Sequence, residues 1–370
     1  MKSCLRRIGA LCVVAAFAVV PIAAQADDIE GVWIDLFDGE TLFGWHEIGD
    51  VDWNVTNGNL RCDTGAGGWA ATSSQFSDFD LEATVRVLSG SQAALAVRAP
   101  LTGHPSENGA YTVVLEGPEG DGSAEWQEVR VSARGPEVTA TVDGEPVELM
   151  GGGSAIGHIG VHYYERADEV EVQSMRLRPV QLRSIFNGED LTGWNIIPDR
   201  DSEFFVEDGL LRVVDGNGQI ETEELFKDFV LQIDCISHGD HLNSGVFFRG
   251  PPGVFWRGYE AQIRNQWVGD DRTQAVDYGT GGIYGNQPAR KVTTDDYEWF
   301  TMTVVVRGNH MAVWLDEYLV ADYTDMRPPI GNYDGKAGYV ADAGTIHLQG
   351  HDPATDLSFR NIHIQEYPAH

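Results

Sequence analysis

Leu242-Asn243-Ser244-Gly245-Val246-Phe247-Phe248-Arg249, followed shortly by Gly258-Tyr259-Glu260-Ala261-Gln262-Ile263, reads as two short strands. Successive side chains of a strand point to opposite faces. Glu260 and Gln262 therefore share one face, and Tyr259, Ala261 and Ile263 share the other. A surface that only has to be wet needs no Arg, Glu and Gln on neighbouring strands. Arg249, Glu260 and Gln262 could together grip a polyhydroxylated ligand. The plain alternative is an Arg–Glu pair on an exposed sheet face.

The same alternation runs through the rest of the chain. Short runs rich in Val, Phe, Tyr and Trp are separated by Gly, Asn and Asp turns, a strand signature. Val129–Gly135 leads into Val138–Gly144, and Thr303–Asn309 into Met311–Tyr318, both as hairpins with Gly or Asn in the turn. No long segment shows a capped 3.6-residue apolar period, so few helices are expected. Antiparallel strands with a buried face predict β-sandwiches.

An internal repeat divides these strands into two sets. Phe37-Asp38-Gly39-Glu40-Thr41-Leu42-Phe43-Gly44-Trp45 recurs as Phe186-Asn187-Gly188-Glu189-Asp190-Leu191-Thr192-Gly193-Trp194. Trp53–Arg61 parallels Phe205–Arg212, and Phe76–Glu82 parallels Phe226–Gln232. A spacing of about 150 residues suits duplicated domains and is too long for a solenoid. The expected division is a signal peptide over 1–26, one sandwich over 27–180 and a second over 181–370.

Lys2, Arg6 and Arg7 precede an apolar stretch that ends at Ala24-Gln25-Ala26, a secretory signal with cleavage before Asp27. No other segment approaches about 18 continuous apolar residues. The expected location is therefore periplasmic or secreted, with no membrane attachment after cleavage. The formal charge of −32 becomes more negative once the three basic signal residues are lost. Such a surface repels nucleic acid, anionic membranes and polyanionic substrates. Cys62 and Cys235 fall in different halves and have no zinc-type spacing, so free thiols are expected.

The second half resembles the 3-keto-disaccharide hydrolase domain family, a concanavalin-like jelly roll. The resemblance is carried by Phe186-Asn187-Gly188 with Gly193-Trp194, Asn243-Ser244-Gly245 with Phe247-Phe248-Arg249, and Gly258–Gln262. Thr280–Gly285, Glu298-Trp299, Leu348–His351 and Phe359–Ile362 complete it in order. The first half keeps the opening block and little else, with Ala93–Arg98 and Tyr111–Val114 where the polar blocks would stand. The resemblance implies two tandem jelly rolls, the first degenerate, and action on glycosides oxidised at C3. A 3-keto group acidifies the C2 proton, so a base can remove it and expel the C1 substituent. Hydration of the enone then gives net hydrolysis. This needs a base near C2, a donor to the enolate oxygen and an acid near the leaving oxygen.

On that reading Glu260, His351 and Arg249 are the catalytic candidates. Arg249 would stabilise the enolate, because its planar fork never loses charge. His351 would share a strand face with Gln349 and can exchange a proton near neutrality; otherwise it caps a strand end beside Asp352. Asn243, Gln262, Tyr284, Gln349, Lys291 and Trp267 are expected to bind substrate, with Trp256 a second aromatic platform. His238, Asp240 and His241 could hold a divalent metal only if their loop curls, so a polar turn is the ordinary reading and no cofactor is expected. The expected partner is a carbohydrate, and nothing in the chain sets an oligomeric state. A non-catalytic, lectin-like protein is the rival reading, and a surface adhesion module a third. A lectin pair should keep a site in each copy, whereas only the second copy keeps its polar set.

Overall fold

The structure is a computed structural model that describes residues 29–88, 92–101, 109–118, 123–164 and 169–368. The expected signal over 1–26 lies outside the described residues. Among these residues every regular element is a strand, and the strands pair antiparallel.

The second half forms two stacked sheets. One is ordered Glu203–Glu207, Leu210–Val214, Asp356–Glu366, Phe229–Ser237, Phe300–Arg307, His310–Leu315 and Tyr318–Thr324. The other is ordered Trp194–Ile196, Gly218–Thr222, Thr345–Gly350, Ser244–Gly250 and Tyr259–Ile263. Alternation sends Ile220, Val246, Phe248, Ala261, Ile346 and Leu348 of this five-stranded sheet inward. There they meet Leu211, Leu231, Ile233, Met302, Val304 and Phe359 of the larger sheet in one buried core. Burial of apolar area at this seam is the main force holding the sheets face to face.

Strand order in the first half follows the same plan. Its long strands Trp45–Thr56 and Asn59–Thr72 stay continuous where the second half breaks each into two, so the two layers read as one sheet. The first-half core also takes in Val230, Val305, Ala312 and Trp314, on the larger second-half sheet. Trp314 Nε1 donates to Asp35 O at 2.9 Å, and Gln365 Nε2 to Asp78 O at 2.8 Å across this junction. The five-stranded sheet is thus left facing away from the first half. Cys62 and Cys235 are both buried and free.

Candidate functional site

Two rows of side chains cross the outer face of the five-stranded sheet. Gln219 pairs with Gln349 in register, and Gly245 with Gln262. In the next row Glu221 pairs with His347, His347 with Phe247, and Phe247 with Glu260. The period of two puts these residues outward because their neighbours belong to the core. They are nonetheless buried: Gln219, Glu221, His347, Gln349, Glu260 and Gln262 are each at most 5% exposed. Cover comes from loop residues Gly253, Trp256, Asp277, Tyr284 and Lys336. The loop after Ser244–Gly250 is tied down where Trp256 N donates to Gln219 Oε1 at 2.7 Å and Gly253 N to Glu221 Oε1 at 2.8 Å.

Glu260 is the chemical centre of this face. Burial, ahead of the nearby Asp277 charge, pushes its carboxyl up to about 8, while Lys336 and a hydrogen bond from Trp256 pull the other way. Its Oε2 is buried with no hydrogen-bond partner. Lys336 Nζ lies 3.5 Å from the centre of the Trp256 ring and 5.0 Å from that of Tyr284, and it too has no hydrogen-bond partner. Burial lowers the Lys336 pKa, partly offset by Glu260. Burial likewise raises the Tyr284 phenol, helped by Asp277 and Glu260. Beneath this group His347 is held neutral, its pKa lowered by burial to about 3; its Nε2 lies 2.6 Å from Thr345 Oγ1.

Two glycines make room for these groups. A Cβ on Gly245 would lie 2.7 Å from Glu260 Oε1, and one on Gly285 2.5 Å from Lys336 Cγ. Both distances are shorter than real contacts allow, so each glycine marks the path of a functional side chain. Gly245→Ala should displace the Glu260 carboxylate while leaving the core intact. We expect a folded protein, by unfolding midpoint, whose ligand affinity or turnover falls at least about tenfold, the usual sensitivity of a misplaced group.

Six polar atoms around the face are buried without partners: Gln219 Nε2, Asn243 Oδ1, Glu260 Oε2, Gln262 Oε1, Gln349 Oε1 and Lys336 Nζ. Each such atom costs about 1–3 kcal/mol if left dry. Together they would rival the whole stability of a domain, about 5–15 kcal/mol. The face is therefore built to be occupied by hydrogen-bonding matter, solvent or a ligand with many polar groups.

The first half supplies an internal comparison through matching registers. Its equivalents of Gln219, Gln349, Gly245 and Gln262 are Trp69, His162, Ala94 and Val114. Those of Glu221, His347, Phe247 and Glu260 are Ala71, Gly160, Ala96 and Thr112. Trp69, Ala71 and Ala96 pack into a small apolar cluster there. The same sheet face is mostly apolar in one half, with His162 and Thr112 its polar members, and mostly polar in the other.

Of the residues expected from sequence, Asn243, Glu260, Gln262, Tyr284 and Gln349 come together. Arg249 is corrected: it is wholly buried on the other side of the sheet. Its Nε donates to Lys227 O at 2.9 Å, Nη1 to Val340 O at 2.8 Å and Nη2 to Asp228 Oδ1 at 2.9 Å. The reason is backbone geometry. Arg249 has φ 54°, next to a register irregularity, so the alternation that placed it with Glu260 is broken. Arg98 repeats this arrangement in the first half, with φ 52° and bonds to Ser77 O and Asp78. Arg249 belongs to the fold, not to the face.

Lys291 is corrected as well, since its Nζ stands 5.5 Å from the Tyr318 ring, beside Arg290, which pairs with Asp38 of the first half at 2.8 Å. His351 falls just past the end of Thr345–Gly350, 45% exposed, with Nδ1 3.1 Å from Asp352 Oδ2. The strand-end cap is the geometry observed. Trp267 lies in a separate hairpin, stacked under Arg272 at 4.2 Å. His238 faces Ser358 Oγ at 2.8 Å, His241 faces Asn265 O at 2.7 Å, and Asp240 bonds Tyr297, so the three side chains diverge. Among the described residues no group of three or more His, Cys, Asp or Glu is arranged to hold a metal ion.

Five members of the site were not anticipated: Gln219, Glu221, His347, Asp277 and Lys336. The first three carry the same period-two signal as Glu260, in Gly218-Gln219-Ile220-Glu221-Thr222 and Thr345-Ile346-His347-Leu348-Gln349. Asp277 and Lys336 lie in loops, where no period exists.

The fold is an all-β jelly roll with one buried polar sheet face. The family model of the 3-keto-alpha-glucoside-1,2-lyase-like domain matches residues 32–123 and 181–365, and the chain belongs to that family. It is accordingly a carbohydrate-related jelly-roll protein. No functionally curated protein matches it. Among solved structures, two proteins of Parabacteroides distasonis, provisionally assigned as glycosyl hydrolases, are 20% and 22% identical to it. Each aligns over 50% of this chain, and over 94% and 98% of its own, at a TM-score of 0.41. The carbohydrate-binding module CBM66 of Bacillus subtilis is 16% identical over 47% of this chain and 96% of its own, at a TM-score of 0.34.

Proposed function

We propose that the second half cleaves 3-keto-glycosides, including 3-keto-disaccharides, by elimination. Glu260 takes the C2 proton, the electron pair moves to the C3 carbonyl oxygen, and collapse of the enolate expels the C1 substituent, whose oxygen takes up the proton that Glu260 removed and so restores the carboxylate. Water adding to the enone gives net hydrolysis. The observation that carries this reading is Glu260: a carboxyl raised by burial to about 8, with a free Oε2, near the Lys336 ammonium. A carboxylate of raised pKa is a stronger base, and a fixed ammonium is a natural partner for a developing enolate oxygen. Tyr284 stands near Lys336 as a second donor.

The elimination requires no cofactor. Its setting would be the periplasm or the outside of the cell, on a neutral carbohydrate. The first half, where Trp69, Ala71 and Ala96 replace Gln219, Glu221 and Phe247, would act as a scaffold for the catalytic half. The amide row Gln219, Gln349 and Gln262 also suits a second reading, a lectin-like protein that binds sugar without turnover.

Incubating the purified protein with a 3-keto-disaccharide separates the two. We expect release of the free second sugar. Sugar binding without release would establish the lectin reading instead.

A further inference from the structure

Amide side chains present either a donor or an acceptor, and their partners decide which end faces the site. Asn243 Nδ2 donates to Asp277 Oδ2 at 3.0 Å. Gln262 Nε2 donates to the backbone O of Asp277 at 3.0 Å and to its Oδ2 at 3.2 Å. A backbone carbonyl can only accept, so the Gln262 orientation follows directly. Both NH2 groups are thus turned away, and Asn243 Oδ1 and Gln262 Oε1 are left buried and unpartnered. Gln349 Oε1, one strand from Gly245, is also buried without a partner, and Gln349 as a whole is 2% exposed. Asp277 and the following Tyr278 are held at φ 51° and 69°, a left-handed backbone that non-glycine residues adopt only at a cost of about 1–3 kcal/mol.

We infer that Asp277 is a positioning residue that turns Asn243 and Gln262 into acceptors, and that with Gln349 they read a run of hydroxyl donors on the ligand. The inference rests on the carbohydrate reading above and adds the class of sugar. A ring with its hydroxyls intact supplies a proton to each acceptor. A deoxy ring leaves a buried acceptor dry, and a carboxylated ring brings more acceptors and a negative charge toward the Asp277 carboxylate that holds Asn243 and Gln262. The site therefore selects neutral, fully hydroxylated rings and rejects deoxy sugars and uronates. Sites built to hydrogen-bond a hydroxyl discriminate strongly against its absence.

The test uses the full chain carrying Glu260→Gln, which blocks turnover. The probes are methyl 3-keto-α-glycosides of gluco, galacto and manno configuration, their 4-deoxy and 6-deoxy analogues, and their C6 carboxylates, titrated by calorimetry. The best parent should lose at least tenfold in Kd for a deleted hydroxyl, and its carboxylate should show no binding. Adding Gln349→Met should weaken the parent at least tenfold and shrink one of the deoxy penalties, with the unfolding midpoint unchanged or raised, since a buried unpaired oxygen is removed. Adding Asp277→Asn should reduce the parent-to-deoxy ratio more than it changes the midpoint. Parent and deoxy sugars that bind alike would overturn this inference and leave the carbohydrate reading standing. Failure of every sugar to bind would overturn both.

Discussion

Replacing Glu260 by glutamine should lower turnover of a 3-keto-glycoside by at least about 10²-fold, the usual worth of a positioned proton-transfer group. The pH profile gives the sharper test. If Glu260 is the base, it must be ionised, and burial has moved its titration up to about 8. Activity of the free enzyme should then rise with pH through that value and level off above it. A carboxyl acting as an acid would give the opposite slope. The same shift has a consequence for stability. In the unfolded chain Glu260 titrates near the ordinary 4.5, so between 4.5 and about 8 the folded protein holds a proton that the unfolded chain has released. Stability therefore falls as pH rises across that window, a linkage set by the difference in bound protons. Glu260→Gln should flatten this slope in denaturant titrations at pH 5 and pH 8. A flat wild-type curve, with a rate independent of pH, would rule out Glu260 as the base.

The second large effect is structural and concerns Arg249. Arg249→Met leaves the half-buried Asp228 beside a hydrocarbon chain and frees the carbonyls of Lys227 and Val340. Breaking a buried pair by removing one partner costs about 3–5 kcal/mol. Asp228 keeps a bond from Arg307 at 2.9 Å and one from Gly308 N at 2.9 Å, which places the cost toward the lower end. Arg98→Met should destabilise the first half in a similar way, since Arg98 bonds Ser77 O at 2.7 Å and Asp78 at 3.1 Å. Denaturant unfolding of both variants checks this. An Arg249→Met protein as stable as wild type but unable to bind ligand would restore Arg249 to the site.

Arg249 also shows where reading the chain goes astray. Strict alternation puts Arg249 with Phe247 and away from Phe248. One left-handed residue beside a register irregularity reverses that, and an isolated Arg in a sequence carries no sign of it. His351 fails for a related reason. The strand ends at Gly350, so the face shared with Gln349 is not continued, and the histidine inside the strand is His347. Glu260, Gln262 and Gln349 were legible because a buried strand leaves its periodic signature even when the outward residues are polar.

Alternating apolar residues and turn glycines determined that the protein is all-β, and the repeated Gly-Trp block showed two related halves. Period two also put Glu260 and Gln262 on one face. Only the folded molecule decided what that face contains. Asp277 and Lys336 reach it from loops, with Gly285 opening the path for Lys336 and Arg327 bonding the carbonyls of Gly335 and Lys336 to fix its loop. Such contacts join residues far apart in the chain and follow no local period. Burial had the same origin: Trp256, Asp277, Tyr284 and Lys336 close over the sheet from loops, and that cover turns ordinary strand polarity into a shifted carboxyl and a row of unpaired acceptors.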